Sequence, residues 1–247
     1  MSEVPSSRPR LSSALLEVGL AIAGLLVGSV VFLVLQVLGL IPTEGALGLG
    51  VGMAAGPAIT LGAVAVYRKL GALVDATEQA RFGEQAEWAA PFARASLAGS
   101  LGIVVLGIAG AIGGSFVLGV GLEAIGVSVE EQGAIVELVD GFKSGGERLP
   151  MILLVVSALA LAPMAEELLF RGLVFRRIAS RGNSWPEAYA LSAAVFAAIH
   201  TNPVGFLVYL WLGVVFAESY RRSGRLWVAM LVHAGNNAFA LSLLVWG

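Results

Sequence analysis

Residues 150–175 read PMILLVVSALALAPMAEELLFRGLVF. A helix crosses a membrane with about 20 mostly apolar residues, because the hydrocarbon core is about 30 Å thick. This stretch is long enough, yet it carries Glu166, Glu167 and Arg171. An ionisable side chain at that depth costs about 3 kcal/mol even on lenient insertion scales, which marks it as a functional candidate. Glu167 and Arg171 stand four apart, acid before base, and so share one helix face as an ion pair. Glu166 is turned about 100° away and is not committed to that pair. Pro163 has no N–H to donate and loosens the turn just before the two glutamates.

The rest of the chain supports a membrane reading. Of its 247 residues, 57% are hydrophobic and only 13% charged, about half the charged share of an average soluble domain. Six further apolar segments are readable: Ala14–Leu40, Ala46–Tyr67, Ala95–Leu122, Pro186–His200, Val204–Tyr220 and Leu226–Trp246. The expected fold class is therefore all-α, a polytopic membrane bundle of about seven transmembrane helices. Residues 1–149 form an N-terminal region of three spans, and residues 150–247 a four-helix core. Pro186–His200 is short for a full span. The first apolar run follows Arg8 and Arg10 as a signal peptide would, but it is longer than a signal h-region and reads as a retained span.

Two polar connections break the apolar pattern. Residues 68–94 mix charges with apolar residues and are expected to lie on the cytoplasmic surface as an amphipathic segment. Residues 123–149 form an external acidic loop, with a short helix expected around Glu130–Phe142. With the N-terminus in the cytoplasm, inside segments hold Arg8, Arg10, Arg68, Lys69, Arg81, Arg94, Arg176, Arg177, Arg181, Arg221, Arg222 and Arg225, and outside segments only Lys143 and Arg148. That bias follows the positive-inside rule. In the third apolar segment Gly107, Gly110 and Gly114 fall near one helix face, an arrangement suited to close helix packing in lipid. Glu17 and Glu218 sit close to an interface and read as structural.

The two histidines, His200 and His233, are the only imidazoles available, and the chain has no cysteine. His233 and Asn237 share a face at four-residue spacing, and Phe196 lies one turn before His200. At about 1.5 Å per residue from the nearest cytoplasmic charge or breaker, Glu166 lies roughly 15 Å deep, His200 roughly 21 Å, His233 roughly 12 Å and Asn237 roughly 18 Å. Three separate segments thus place polar groups near the midplane. A carboxylate and an imidazole in a dry pocket can hold and deprotonate a water. A second imidazole with an amide can donate hydrogen bonds to an oxyanion. The same side chains could also ligate zinc, although the H-E-x-x-H pattern is absent.

Glu166-Glu167-x-x-x-Arg171, Phe196-x-x-x-His200 and His233-x-x-x-Asn237 together resemble the three motifs of the CPBP intramembrane proteases, the group of type II CAAX prenyl proteases and bacteriocin-processing or self-immunity proteins. The resemblance implies an intramembrane endopeptidase acting on a membrane-associated or C-terminally processed peptide. It implies Glu166 as general base on water with His200, His233 and Asn237 as the oxyanion site, and Glu167, Arg171 and Phe196 as support for the pocket. The family has been described both as metalloproteases and as glutamate proteases; a metal-free mechanism is preferred here, with zinc on Glu166, His200 and His233 as the alternative. The implied setting is a prokaryotic inner membrane with the site opening to the cytoplasm. The expected partners are lipid and a membrane peptide, with no nucleic acid. A non-catalytic scaffold or immunity protein of the same fold, and a small proton-coupled transporter, are the competing readings.

Overall fold

The computed structural model describes residue 30 and residues 33–42, 44–82, 92–129, 132–180 and 185–247. Among them there is helix and no strand. We number the helices α1 (Gly45–Phe82), α2 (Leu97–Ala124), α3 (Gly133–Lys143), α4 (residues 148–180), α5 (Trp185–Ile199), α6 (Phe206–Ser223) and α7 (Leu226–Trp246). The first apolar segment, Ala14–Leu40, falls mostly outside the described residues, as do Glu17, Glu130 and Glu131.

Four helical stretches are long and apolar enough to span: Gly45–Ala65, Leu97–Ala124, Arg148–Phe175 and Leu226–Trp246. Helix α5 has 15 residues, about 22 Å at the helical rise, which falls short of a full crossing as its sequence suggests. Helix α6 begins at Phe206 rather than Val204, because residues 203–205 form a turn. Its last turns carry Glu218, Arg221 and Arg222, which shorten its apolar length.

The bundle buries charge and exposes hydrocarbon. Leu97, Leu101, Val105, Leu106, Phe116 and Val117 of α2 are all more than half exposed, while Glu167, Arg171 and His233 are buried. That inversion suits lipid as the surrounding solvent, because polar groups must find partners inside the protein. Together with the spans, it makes the chain an integral membrane protein.

Residues 68–82 do not form a separate surface element; α1 continues unbroken for 38 residues to Phe82, and residues 83–91 lie outside the described set. The two regions pack together: Val64 of α1 and Ala111 of α2 lie in one cluster with Leu169, Phe170, Phe196, Phe216 and Val232. The acidic loop holds a short helix, α3, whose Leu138 and Val139 are buried against Leu154 of α4. Among the three glycines, only two make close contact. A Cβ on Gly107 would lie 2.7 Å from Val232, and one on Gly114 would lie 2.1 Å from Trp211, whereas Gly110 faces open space. Gly110 contributes through its backbone: its carbonyl accepts the Trp211 indole N–H at 3.1 Å.

The basic residues separate by end. Ser223 O accepts from Ala95 N at 3.0 Å, and Arg225 donates to Ala95 O at 3.2 Å. These bonds tie the α2 entry to the α6–α7 turn and gather Arg94, Arg221, Arg222 and Arg225. Gly224 makes that turn with φ of 61°, and a Cβ there would sit 2.9 Å from Ala93 O. At the opposite end Lys143 donates to Leu244 O at 3.3 Å. Glu218, near the arginine-rich end, is structural: Arg221 forks onto it at 2.7 and 2.8 Å, and Tyr189 and Arg222 also bond to it.

Candidate active site

The site is built around an irregularity in α4. Its α-helical turns Arg148–Val156, Ala162–Glu167 and Arg176–Ser180 are interrupted by π-helical turns at Ser157–Leu161 and Leu168–Phe175. Single π turns inside helices are rare and concentrate at functional sites. The Glu166–Glu167 pair sits on the short α segment between them.

Glu167 and Arg171 meet as the spacing predicts, with Arg171 Nη1 3.0 Å from Glu167 Oε1 and both side chains fully buried. Arg171 Nη2 donates to Gly213 O on α6 at 2.8 Å. The guanidinium carbon lies 4.7 Å from the Phe196 ring centroid and 5.3 Å from that of Phe216, so its face is covered by aromatic rings. His233 Nδ1 lies 3.0 Å from the same Glu167 oxygen, and its ring stacks on Phe216 at 4.5 Å.

Glu166 has a different neighbour. Its Oε2 lies 4.0 Å from His200 Nε2, and that oxygen is buried with no hydrogen-bond partner among the described residues. His200 follows the last residue of α5, and its Nδ1 lies 2.7 Å from Phe196 O. A carbonyl only accepts, so Nδ1 carries the proton, and in the neutral ring the Nε2 lone pair is left towards Glu166. The His200 ring stacks on Tyr209 at 4.1 Å and 23°. Tyr209 O–H in turn accepts from Gln132 Nε2 at 3.3 Å, just ahead of α3.

Phe196 touches both imidazoles, with ring centroids 4.7 Å from His200 and 5.9 Å from His233. Five of the residues singled out from the three motifs therefore lie around Phe196 in two groups: Glu166 with His200, and Glu167 with His233 and Arg171. Asn237 faces α4 as His233 does, yet its Nδ2 donates to Ala158 O at 3.0 Å. One of its two amide hydrogens is thus engaged by backbone.

The zinc alternative requires Glu166, His200 and His233 to converge. Among the described residues no three His, Asp or Glu side chains are grouped closely enough to hold a metal ion as placed.

Tyr209, Gly213 and Phe216 escaped the sequence reading. They stand at i, i+4 and i+7 on α6, one helix face, and the aromatic pair flanking a glycine was the available signal. The Gly213 role is steric as well, since a Cβ would lie 2.8 Å from Ala193 Cα on α5.

Comparison with known proteins supports the same segment. Residues 148–239 match the family described as "Type II CAAX prenyl endopeptidase Rce1-like". A protein of Bacillus subtilis (strain 168) named "Putative membrane peptidase YdiL" is 29% identical over 135 residues, 55% of this chain and 49% of that one. The Lactococcus lactis subsp. lactis (strain IL1403) protein named "UPF0177 protein YbdI" is 30% identical over 115 residues, 46% of this chain and 58% of that one. The chain thus spans about half the length of the curated relatives it matches. No solved structure matches it significantly. The resemblance to the CPBP proteases carried by the three motifs therefore holds for residues 148–239, the Rce1-like segment that contains all of them.

Proposed function

We propose that the chain is an intramembrane endopeptidase that hydrolyses a peptide bond of a membrane-associated or C-terminally processed peptide with a water activated by Glu166 and His200. The observation that carries this reading is the 4.0 Å gap between Glu166 Oε2 and the His200 Nε2 lone pair. One water donating two hydrogen bonds of about 2.8 Å at near-tetrahedral angle links acceptors about 4.4 Å apart. Glu166 and His200 would hold that water with both its hydrogens engaged and its oxygen lone pairs free to attack.

Glu166 takes one proton as the water oxygen bonds to the substrate carbonyl carbon. The tetrahedral adduct collapses with cleavage of the C–N bond, and Glu166 returns the proton to the leaving amine. The second Asn237 amide hydrogen is the natural donor to the oxyanion. His233 could join it only through Nε2–H of the imidazolium, because its Nδ1 is engaged by Glu167. Arg171 balances the charge of Glu167 and does not reach the reaction. No step is routed through a metal.

The arginine-rich end is proposed to face the cytoplasm, in keeping with the positive-inside rule. The setting we propose is a prokaryotic cell membrane, since both relatives named above are bacterial. The substrate would enter from the bilayer and meet the site from the cytoplasmic side.

The test is incubation of the purified protein in detergent with membrane peptides in H2¹⁸O, followed by mass spectrometry of the products. Hydrolysis places one ¹⁸O in the new C-terminal carboxyl. Intact peptides across a broad panel would favour the non-catalytic scaffold. A chelator arm rescued by zinc would overturn the metal-free route.

A further inference from the structure

Two helices carry a proline inside them, Pro57 in α1 and Pro163 in α4. Proline offers no N–H, so a carbonyl earlier in the helix loses its donor. Opposite Pro57 that carbonyl belongs to Met53, four residues back. In α4 the count is shifted by the π turn, where Ala162 N–H reaches back five residues to Ser157 O. Ala158 has then lost its α-helical donor to Ser157, and its five-residue donor would be Pro163, which has none. Inside a membrane, water is not at hand to satisfy such groups.

Both carbonyls are met by a side chain from a neighbouring helix. Ser157 Oγ donates to Met53 O at 2.5 Å, and Asn237 Nδ2 donates to Ala158 O at 3.0 Å. Adjacent residues of α4 are thereby bonded to α1 on one side and α7 on the other. The joint lies about two turns before Glu166. A π turn inserts one residue into the helix, so closing it to regular α-helix would rotate everything beyond by about 100°. Glu166 would then swing away from His200.

We infer that Asn237 has a positioning role besides the oxyanion contact proposed for its second amide hydrogen: its amide closes the Ala158 carbonyl stranded by Pro163, holds the π turn open and so aims Glu166 at His200. Ser157 acts likewise on the Met53 carbonyl stranded by Pro57, fixing the same turn to α1. The aiming of Glu166 rests on its proposed hydrolytic role, whereas the closure of the carbonyls does not.

The test is a double-mutant cycle of Asn237→Ala and Pro163→Ala, read by thermal unfolding of the whole protein in detergent. In the wild-type background Asn237→Ala leaves a half-buried acceptor of a membrane-spanning helix unpaired and should lower Tm by roughly 4–8 °C. With Pro163→Ala, residue 163 supplies an N–H to Ala158 O, and the same change should cost less than half as much. An equal loss in both backgrounds would overturn the clamp. Peptide cleavage separates positioning from oxyanion binding. Partial return of activity in the double variant relative to Asn237→Ala supports aiming of Glu166, and an unrelieved loss contradicts it. If the Pro163→Ala protein does not fold, Ser157→Ala with Pro57→Ala tests the companion bond to Met53 O in the same way, and an Asn237→Ala protein that melts like wild type overturns the Asn237 clamp. A wild type that cleaves nothing counts against the hydrolytic reading and leaves the thermal cycle decisive for the clamp.

Discussion

Replacing Arg171 by Met should be among the most damaging single changes in the chain, and replacing Glu167 at the same time should relieve much of the damage. Arg171 and Glu167 are fully buried 3.0 Å apart. Removing the cation strands a carboxylate whose remaining hydrogen-bond partner among the described residues is His233, and breaking a buried pair from one side costs about 3–5 kcal/mol. At about 2–4 °C of Tm per kcal/mol for a chain of this size, Arg171→Met should unfold about 10–15 °C earlier. Adding Glu167→Gln removes the stranded charge and should recover about 2 kcal/mol or more as coupling. Recovery stays incomplete, because the bond to Gly213 O and the stacking against Phe196 and Phe216 are lost in both variants. The chain lacks cysteine and has five tryptophans, so the melt is best followed by tryptophan emission and circular dichroism. Strictly additive losses would refute the pairing, as would an Arg171→Met variant as stable as wild type.

Two further substitutions probe the surrounding scaffold. Gly114→Ala drives a Cβ into the Trp211 indole and should lower Tm by several degrees, about 1–3 kcal/mol of overpacking; Gly110→Ala, facing open space, should leave the melt unchanged, and equal effects would contradict the packing described. Tyr209→Phe keeps the ring stacked on His200 and should keep most peptide cleavage, whereas Tyr209→Leu removes it and should cost up to about tenfold in rate, the value of one ring pair; identical rates for the two would show that the stack does not hold His200.

The sequence made the helices legible because lipid demands long apolar runs, and it made the Glu167–Arg171 pair legible because four-residue spacing within one helix fixes proximity. Contacts between helices were not legible in the same way. His233 and Asn237 do share a face, but that His233 meets Glu167 and Asn237 meets Ala158 depends on how α7 is set against α4, 66 and 79 residues away along the chain. Pro163 was recognisable as a break, yet the identity of the carbonyl it strands depends on the π turn, which has no sequence signature of its own. The glycine stripe of α2 misled at Gly110 because a shared face says nothing of where the partner helix diverges. The end of α1 was hidden because its polar residues read as a surface segment, while the backbone simply continues as helix.

The central claim is that Glu166 and His200 together activate a water. The most direct measurement is kcat/KM for one membrane peptide with wild type and Glu166→Gln, both shown to melt alike. Loss of a general base should lower the rate by about 10²–10⁴-fold. Undiminished cleavage by the folded glutamine variant would contradict it.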